Sequence, residues 1–266
     1  MFETIVNSIN DIVWSNALIF VALASGLFYS FKTRFVQVRM FKEMIRLLFG
    51  GKSSERGVSS FQAFAIAISG RVGTGNIAGV ATAIALGGPG AIFWMWIIAF
   101  LGSASAFIEA TLGQLYKENK GGEYRGGPAY YIEKGLGIKW FATLFAIATI
   151  FSTAFFLPGV QANSIAAGIK SAFDVDVAYT GTAIIVFLAI IVFGGVKRIG
   201  RFSEIVVPFM AIAYILLAVI IIGMNFSEVP RVIKLIISSA FGAHQAFGAI
   251  VGMAIMWGVK RGVYSN

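Results

Sequence analysis

Residues 70–102 decide the fold of this chain, and they read GRVGTGNIAGVATAIALGGPGAIFWMWIIAFLG. The stretch is apolar for most of its length, yet its first part places Gly73 and Gly75 beside the polar residues Thr74 and Asn76. Glycine weakens a helix by about 1 kcal/mol relative to alanine, and polar groups inside a membrane helix need partners. We therefore predict that a membrane helix is interrupted here.

An interruption at membrane depth exposes backbone groups that need polar partners. The second half-helix presents amide N–H groups and the first presents carbonyls, and both are tolerated only inside protein or beside a polar cavity. In transporters with discontinuous helices, such groups hold a substrate carboxylate and Na⁺. From these residues alone, the alternative is that the glycines only allow neighbouring helices to pack closely.

The composition is that of a protein that crosses a membrane several times. Of the 266 residues, 58% are hydrophobic and 12% are charged, and the mean hydropathy is +0.84. With no cysteine, one histidine and few acids, the sequence offers no thiolate or zinc site and no catalytic carboxylate pair, so we predict neither enzyme activity nor a cofactor. The basic residues that give the net charge of +9 lie mainly in loops between apolar spans. This distribution indicates that they set the orientation of the protein in the membrane and do not bind nucleic acid.

Seven apolar segments are long enough to cross a bilayer, which takes about 20 residues. Seventeen Lys and Arg residues fall in the loops on one side of these segments and three on the other, with Arg71 inside a span. Basic loops mark the cytoplasmic side, so we predict that the N-terminus lies outside and residue 266 inside. The predicted spans are 12–31, 58–86, 91–116, 138–169, 178–195, 203–223 and 242–258.

Two segments outside the spans have the pattern of helices that lie on a membrane surface. Within the basic segment 32–57, residues 35–49 place apolar side chains on one side and basic side chains elsewhere, which predicts a helix on the cytoplasmic surface. A plain solvated loop is the alternative. Residues 229–239 form a second amphipathic piece, predicted on the outer surface, and residues 121–128 are a turn-rich connector.

The interrupted segment also resembles a known family. Residues 73–83, GTGNIAGVATA, and residues 87–96, GGPGAIFWMW, strongly resemble the sodium:alanine (alanine or glycine:cation) symporter family, and the second stretch looks like a signature of that family. Three further stretches support the resemblance, which covers essentially the whole chain. They are 126–135 (GGPAYYIEKG), 161–164 (QANS) and 258–266 (GVKRGVYSN).

The resemblance implies an all-α polytopic membrane protein with a LeuT-type fold, which is built from two inverted repeats of five helices. By that comparison 12–31 is an extra N-terminal helix, 58–223 is the first five-helix repeat and 229–266 begins the second. Family members look longer, which implies that residues 1–266 form one incomplete transmembrane domain, with the second repeat truncated and its later helices missing. A non-transporting fragment or an assembly partner is therefore an alternative to a transporter.

The activity implied by the resemblance is secondary symport across the plasma membrane of a prokaryote. Na⁺ influx would drive the uptake of alanine, glycine or a similar small amino acid by alternating access. The substrate is expected at the amides of Thr74, Gly75 and Asn76. The cation is expected near the carbonyls of Val72 and Gly73 with side-chain oxygens of Thr74 or Asn76, and Na⁺ is the only metal expected.

Two other spans carry further candidates for substrate contact. Gln161 lies within a predicted span, where an unpaired amide is costly, so it either contacts the substrate or bonds to a neighbouring helix; the same alternatives hold for Asn163. On the seventh span, Phe247 and Met253 are candidates to shape a pocket for a small side chain, with plain packing as the alternative.

Arg71 and Glu109 are ionisable residues inside the predicted spans, and such residues are functional candidates that usually pair. A mutual salt bridge would close the cytoplasmic side of the site, with a purely structural pair as the alternative. Arg71 also offers a different mechanism, in which a fixed cation beside the interruption replaces bound Na⁺. That mechanism would give a H⁺-coupled or ion-independent amino acid transporter.

Overall fold

The computed structural model describes residues 4, 8–9, 12–13, 15–51, 57–121, 123–241 and 248–265, which are mainly helical. Single π-helical turns cover Gly75–Gly79, Ile132–Leu136 and Ser152–Phe156, and a 3₁₀ turn covers Phe226–Glu228. A small antiparallel sheet joins β1 (Glu118–Lys120) to β2 (Glu123–Arg125). The α-helices are α1 (Asn16–Lys32), α2 (Val36–Arg39), α3 (Phe41–Gly50), α4 (Ser60–Arg71), α5 (Val80–Gly87), α6 (Gly90–Leu115), α7 (Pro128–Tyr131), α8 (Lys139–Phe151), α9 (Leu157–Phe173), α10 (Val177–Val192), α11 (Gly195–Met224), α12 (Val229–Ala240) and α13 (Gly248–Ser265).

Three of the described helical stretches are long and apolar enough to cross a membrane: Gly90–Leu115, Lys139–Phe173 and Gly195–Met224. Shorter apolar helices are also present, and they cover Ala17–Lys32, Gly75–Gly87 and Val177–Val192. Many of their large apolar side chains are exposed, as expected for surfaces that contact lipid. The prediction of a helical, polytopic membrane protein is confirmed, while the count of seven spans and the LeuT-type arrangement stay predictions.

The last two predicted spans have different bounds in the structure. Helix α11 begins at Gly195, eight residues before the predicted span 203–223, and α13 continues past residue 258 to Ser265. Both extensions contain Lys and Arg. These residues are good helix formers, so the helix continues through them, but their charge ends a span that is predicted from hydropathy. Of the predicted span 242–258, residues 242–247 lie outside the described residues.

The predicted surface segments are helical where the structure describes them. Helices α2 and α3 lie within the basic segment 32–57, and α12 covers the amphipathic piece 229–239. The connector 121–128 differs from a simple run of turns, because its first part is a hairpin in which Glu118 pairs with Arg125 and Gly121 has a positive φ of 64°. Polar strands of three residues carry no hydropathy pattern, so the sequence did not reveal them.

The hairpin carries an ion-pair network outside the helices. Glu118 contacts Lys134 at 2.5 Å and Lys120 at 3.0 Å. The hydrogen bonds from Lys134 and then Lys120 lower the pKa of the Glu118 carboxyl below its ordinary value, and the bond to Glu118 raises the pKa of Lys120. These exposed pairs fix the connector in place but contribute little to stability.

The chain packs as two compact units. One unit contains residues 1–43, 75–108 and 212–266, and the other contains residues 44–74 and 109–211. One of the four places where the chain passes from one unit to the other is between Thr74 and Gly75, inside the stretch that the sequence predicts to be interrupted. The predicted division into an extra helix, a first repeat and the start of a second repeat stays a prediction.

The core of the first unit forms where α1, α6 and α13 meet. Ile19, Ile98 and Val259 are buried together, one from each of these helices. Small residues bring the helices close, because a Cβ on Gly26 would lie 2.9 Å from the Leu101 Cβ. A Cβ on Gly258 would lie 2.6 Å from the carbonyl oxygen of Ala91. Such close backbone approach is the usual basis of helix packing in membranes.

Replacing Gly258 by alanine is expected to destabilise the protein, because the new methyl group would overlap the Ala91 backbone, which cannot rotate away as a side chain can. Overpacking of this kind costs roughly 1–3 kcal/mol. Thermal unfolding in detergent measures the effect as a lower Tm. Gly252→Ala on the same helix is the matched control, since a Cβ there meets nothing within 4 Å. Equal Tm values for the two variants would contradict the packing described here.

Candidate functional site

The interruption predicted between Gly70 and Asn76 is present in the structure. Helix α4 ends at Arg71, and the N–H of Val72 makes the last helical bond, to the Ile68 carbonyl at 2.9 Å. Val72 itself is extended, with φ −98° and ψ 117°, and the chain becomes helical again through the π-helical turn Gly75–Gly79. The prediction of a broken helix is therefore confirmed, and its break lies at Val72 and Gly73, with Thr74 as the first residue of the helical stretch that follows.

The start of α4 is fixed by polar contacts. The Ser59 hydroxyl accepts a hydrogen bond from the Gln62 backbone N–H at 3.1 Å, and the Gln62 side-chain oxygen accepts one from the Ser59 N–H at 3.1 Å, which is a complete capping box. Gln62 Nε2 also donates to Glu204 Oε2 of α11 at 2.8 Å. These bonds anchor the half-helix that leads into the break.

Gln161 of α9 binds directly to the break. Its Oε1 atom accepts two hydrogen bonds from Thr74, one from the backbone N–H at 3.0 Å and one from the hydroxyl at 2.9 Å. Its Nε2 atom lies over Gly73, where a Cβ would come within 2.8 Å of that nitrogen. Of the two alternatives for Gln161, a bond to a neighbouring helical segment is therefore confirmed, and contact with a substrate stays a prediction.

A π-helical turn precedes Gln161 on the same helical stretch. Residues 139–173 run through α8, the turn Ser152–Phe156 and α9. A π turn inserts one extra residue into a helix, and such insertions are frequent at functional sites. The insertion rotates every residue of α9 relative to α8, so the direction of Gln161 depends on it.

The two bonds have a chemical consequence for Thr74. Because its backbone N–H and its hydroxyl both donate to Gln161, its amide is already satisfied in this state. A hydroxyl that donates its proton keeps its lone pairs for another partner, such as a cation. In this state the Thr74 donors are therefore used by Gln161, and the two predicted roles of Thr74, in binding the substrate and in binding the cation, both stay predictions.

The π-helical turn that follows the break in the chain packs against Arg261 of α13. A Cβ on Gly75 or on Gly79 would overlap the Arg261 guanidinium, so the two glycines form the space that this group occupies. The Nε and Nη2 atoms of Arg261 are buried. By its position in the sequence, Arg261 is only a basic residue after the seventh predicted span. The signal that could have found it is the spacing, since Gly75 and Gly79 are four residues apart, as are Gly258 and Gly262 on the helix of Arg261.

The remaining candidates have different surroundings in the part of the chain that the structure describes. Arg71 is exposed, and its Nη1 atom donates to the Ala67 carbonyl of its own helix at 3.1 Å. Glu109 and Asn163 are exposed, on α6 and α9. Met253 is 41% exposed on α13, and Phe247 lies outside the described residues. The predicted pairing of Arg71 with Glu109 stays a prediction.

Oxygen atoms near the break come from the backbone and from Thr74. In the part of the chain that the structure describes, no three His, Cys, Asp or Glu side chains come together as they would around a divalent metal. The oxygen atoms that belong to the break or directly follow it are the backbone carbonyls of Val72 and Gly73 and the Thr74 hydroxyl. Neutral oxygen ligands of this kind are those that sodium-coupled transporters use.

Comparison with known proteins gives one family over the whole chain. The sequence profile described as "Sodium:alanine symporter family" matches residues 1–266. The chain is 63% identical to the "Putative sodium/proton-dependent alanine carrier protein YrbD" of Bacillus subtilis (strain 168), over 98% of this chain and 54% of the relative. It is 47% identical to the "Probable sodium/glutamine symporter GlnT" of the same organism, over 100% of this chain and 56% of the relative. It is 42% identical to the "Sodium/alanine symporter AgcS" of Methanococcus maripaludis, over 100% of this chain and 60% of the relative. The chain thus spans about half the length of the curated relatives it matches.

Proposed function

The chain belongs to the sodium:alanine symporter family, a family of transporters, and from that premise we propose that it takes part in Na⁺-coupled uptake of a small amino acid, with alanine or glycine as substrate. Na⁺ moving down its gradient drives the uptake by alternating access. The observation that carries the proposal is the broken helix at Val72 and Gly73, with Gln161 bonded to Thr74. A broken helix is costly in a membrane unless its freed backbone groups bind something.

We place the substrate carboxylate at the amides of Gly75 and Asn76, with Thr74 joining them if Gln161 moves. These amides begin the second half-helix, whose positive end attracts a carboxylate. The Nε2 group of Gln161 lies over Gly73 and supplies a further N–H donor beside the break. A substrate with a small side chain is favoured, because Gln161 lies over Gly73 and the Arg261 guanidinium lies over Gly75, which leaves little space there.

We place the Na⁺ ion at the carbonyls of Val72 and Gly73, with the Thr74 hydroxyl or the Asn76 side chain as a further ligand. The extended conformation of Val72 supports this assignment, since its carbonyl no longer follows the helix axis. The lone pairs of the Thr74 hydroxyl support it as well. The alternative in which Arg71 replaces the cation has less support, because the Arg71 guanidinium reaches back along α4 to Ala67.

The proposal also includes the orientation of the protein in the membrane and the residues that border the site. The protein resides in the plasma membrane of a prokaryote, with the N-terminus outside and residue 266 in the cytoplasm, since the basic loops lie on that side. Arg71 and Glu109 close the cytoplasmic side of the site, and Phe247 borders the substrate. The names of the relatives include alanine and glutamine carriers and both sodium and proton dependence. The test therefore has to separate substrates and ions.

Uptake of radiolabelled alanine into proteoliposomes tests the proposal, with the protein made from its complete gene. We expect uptake that requires an inward Na⁺ gradient, that persists when the pH is equal on both sides, and that excess unlabelled glycine inhibits. Uptake driven by a proton gradient without Na⁺ would contradict the choice of ion. Inhibition by glutamine but not by glycine would contradict the choice of substrate, and no uptake of any of the three would contradict transport.

A further inference from the structure

A groove lined by basic residues lies at the end of α1, in the first unit. It has a volume of about 410 Å³, and its walls include Lys32, Thr33, Arg34, Arg39, Met40 and Phe107. Three of these side chains are cationic, and the lining contains no carboxylate. Like charges held around one groove repel one another, so the arrangement favours an anionic occupant. We call this feature the basic groove.

The backbone of the basic groove is strained. Arg34 and Phe35, which link α1 to α2, are consecutive residues with φ of 53° and 52°, in the left-handed region. Each non-glycine residue held in this region costs on the order of 1–3 kcal/mol, and such strain persists only where surrounding bonds maintain it. Strain of this kind is typical of ligand sites, and here it lies in the turn that carries one of the three cations.

Specific bonds hold the strained turn in place. The Phe35 N–H donates to the Ser30 carbonyl at 2.7 Å, and Gln37 Nε2 donates to the Ser30 hydroxyl at 2.9 Å. Ser30 is fully buried. Across the groove, Arg39 Nη2 donates to the Thr33 carbonyl at 3.2 Å, which brings Arg39 back towards the end of α1. The convergence of the cations is therefore built into the turn and does not depend on mobile side chains alone.

The surroundings of the basic groove are those of a membrane surface. Lys32 ends an apolar helix, and Phe31, Val38 and Phe41 beside the groove are 65%, 61% and 59% exposed. Met40 and Phe107 add apolar surface to the groove itself. An occupant that matches both features has an anionic head and apolar chains. Basic pockets beside membrane helices bind anionic lipid headgroups on this physical basis.

From these observations we infer that the basic groove is a binding site for the phosphodiester headgroup of an anionic phospholipid. Lys32, Arg34 and Arg39 contact the phosphate oxygens, and the acyl chains lie along Met40, Phe107 and the exposed aromatic side chains. The lipid would hold α1 against α6, since Phe107 belongs to α6, while Lys32 ends α1 and the two arginines follow it in the chain. This inference does not depend on the transported substrate or on the coupling ion.

Native mass spectrometry of the detergent-purified complete gene product tests the inference. The probe is dioleoyl-phosphatidylglycerol, with dioleoyl-phosphatidylcholine and inorganic phosphate as comparison ligands. We expect the wild-type protein to retain phosphatidylglycerol preferentially. The combined variant K32Q, R34Q and R39Q is expected to lose affinity on the order of 100-fold, or roughly 5-fold per charge. Equal retention of both lipids, or a phosphate signal that competes fully with phosphatidylglycerol, would overturn the assignment.

A matched variant distinguishes binding at the basic groove from general electrostatic attraction between the anionic lipid and a basic protein. The combined variant K139Q, K197Q and R201Q removes three exposed basic residues elsewhere and changes the net charge by the same amount. It is expected to bind phosphatidylglycerol like the wild type, and an equal loss of affinity in it would overturn the inference. If the first combined variant does not fold, the single variant R39Q gives the same test, with an expected loss of roughly 5-fold. Unchanged affinity in R39Q would overturn the inference as well.

Discussion

Replacing Gln161 by alanine is expected to lower the rate of amino acid uptake roughly 10- to 100-fold, because two hydrogen bonds to the half-buried Thr74 are lost, each worth about 0.5–1.5 kcal/mol, and each 1.4 kcal/mol corresponds to a factor of about ten. The Thr74 N–H and the Thr74 hydroxyl would both lose their acceptor. The break would then have no fixed geometry, so substrate and Na⁺ would both bind more weakly. Proteoliposome uptake measured against both substrate and Na⁺ concentration gives the effect.

Two variants show whether Gln161 also contacts the substrate. Gln161→Glu keeps an oxygen for Thr74 but replaces the amide N–H donors by a negative charge, which repels a substrate carboxylate. We therefore expect this variant to transport as poorly as the alanine variant while its stability stays close to the wild type. Ser164→Ala is the matched control on the same helix, since the Ser164 hydroxyl bonds only within α9, to the Val160 carbonyl at 2.9 Å. A wild-type rate of uptake in Gln161→Glu would show that the substrate does not contact Gln161.

Replacing Gly79 by alanine is expected to reduce uptake on the order of tenfold, because the new methyl group would occupy the space of the Arg261 guanidinium. Gly79 has φ −72° and ψ −31°, a conformation that any residue adopts, so the backbone can accept alanine. The glycine is therefore needed for space and not for its backbone freedom. The flexible end of Arg261 has to move instead, and the π-helical turn loses its packing against α13.

A double-mutant cycle tests this contact. Arg261→Ala alone is expected to reduce uptake, and adding Gly79→Ala to it is expected to cause little further loss, since the group that the methyl would displace is already gone. Gly70→Ala is the control near the break, because a Cβ there meets nothing within 4 Å. Additive effects of the Gly79 and Arg261 substitutions would show that the two residues act independently and would contradict the contact.

The position of the break could be predicted from the sequence because its cause is local. Gly73 and Gly75 with Thr74 and Asn76 conflict with a membrane helix whatever surrounds them, and the helix is broken at Val72 and Gly73. The need of Gln161 for a partner was equally local, since an amide within an apolar stretch has to be bonded. The identity of that partner was not predictable, because Thr74 lies 87 residues away in the chain.

The role of Arg261 and the bounds of its helix could not be predicted from composition. Arginine near the end of an apolar run has the pattern of a loop residue, and only the long-range packing of α13 on α6 and on the π-helical turn makes it part of the interior. The basic groove was hidden for a similar reason. The charges of the segment 32–57 were evident, but their convergence depends on two left-handed residues, Arg34 and Phe35, for which no glycine gave a signal.

The contact between Gly79 and Arg261 can form only after both residues have been synthesised. Arg261 leaves the ribosome about 180 residues after Gly79, which at 5–20 residues per second is a delay of roughly 10 to 40 s. During that interval the π-helical turn is already in the nascent chain without the side chain that will pack on it. The contact therefore forms only after α13 has been synthesised, and the insertion machinery has to tolerate an incomplete helix pair until then.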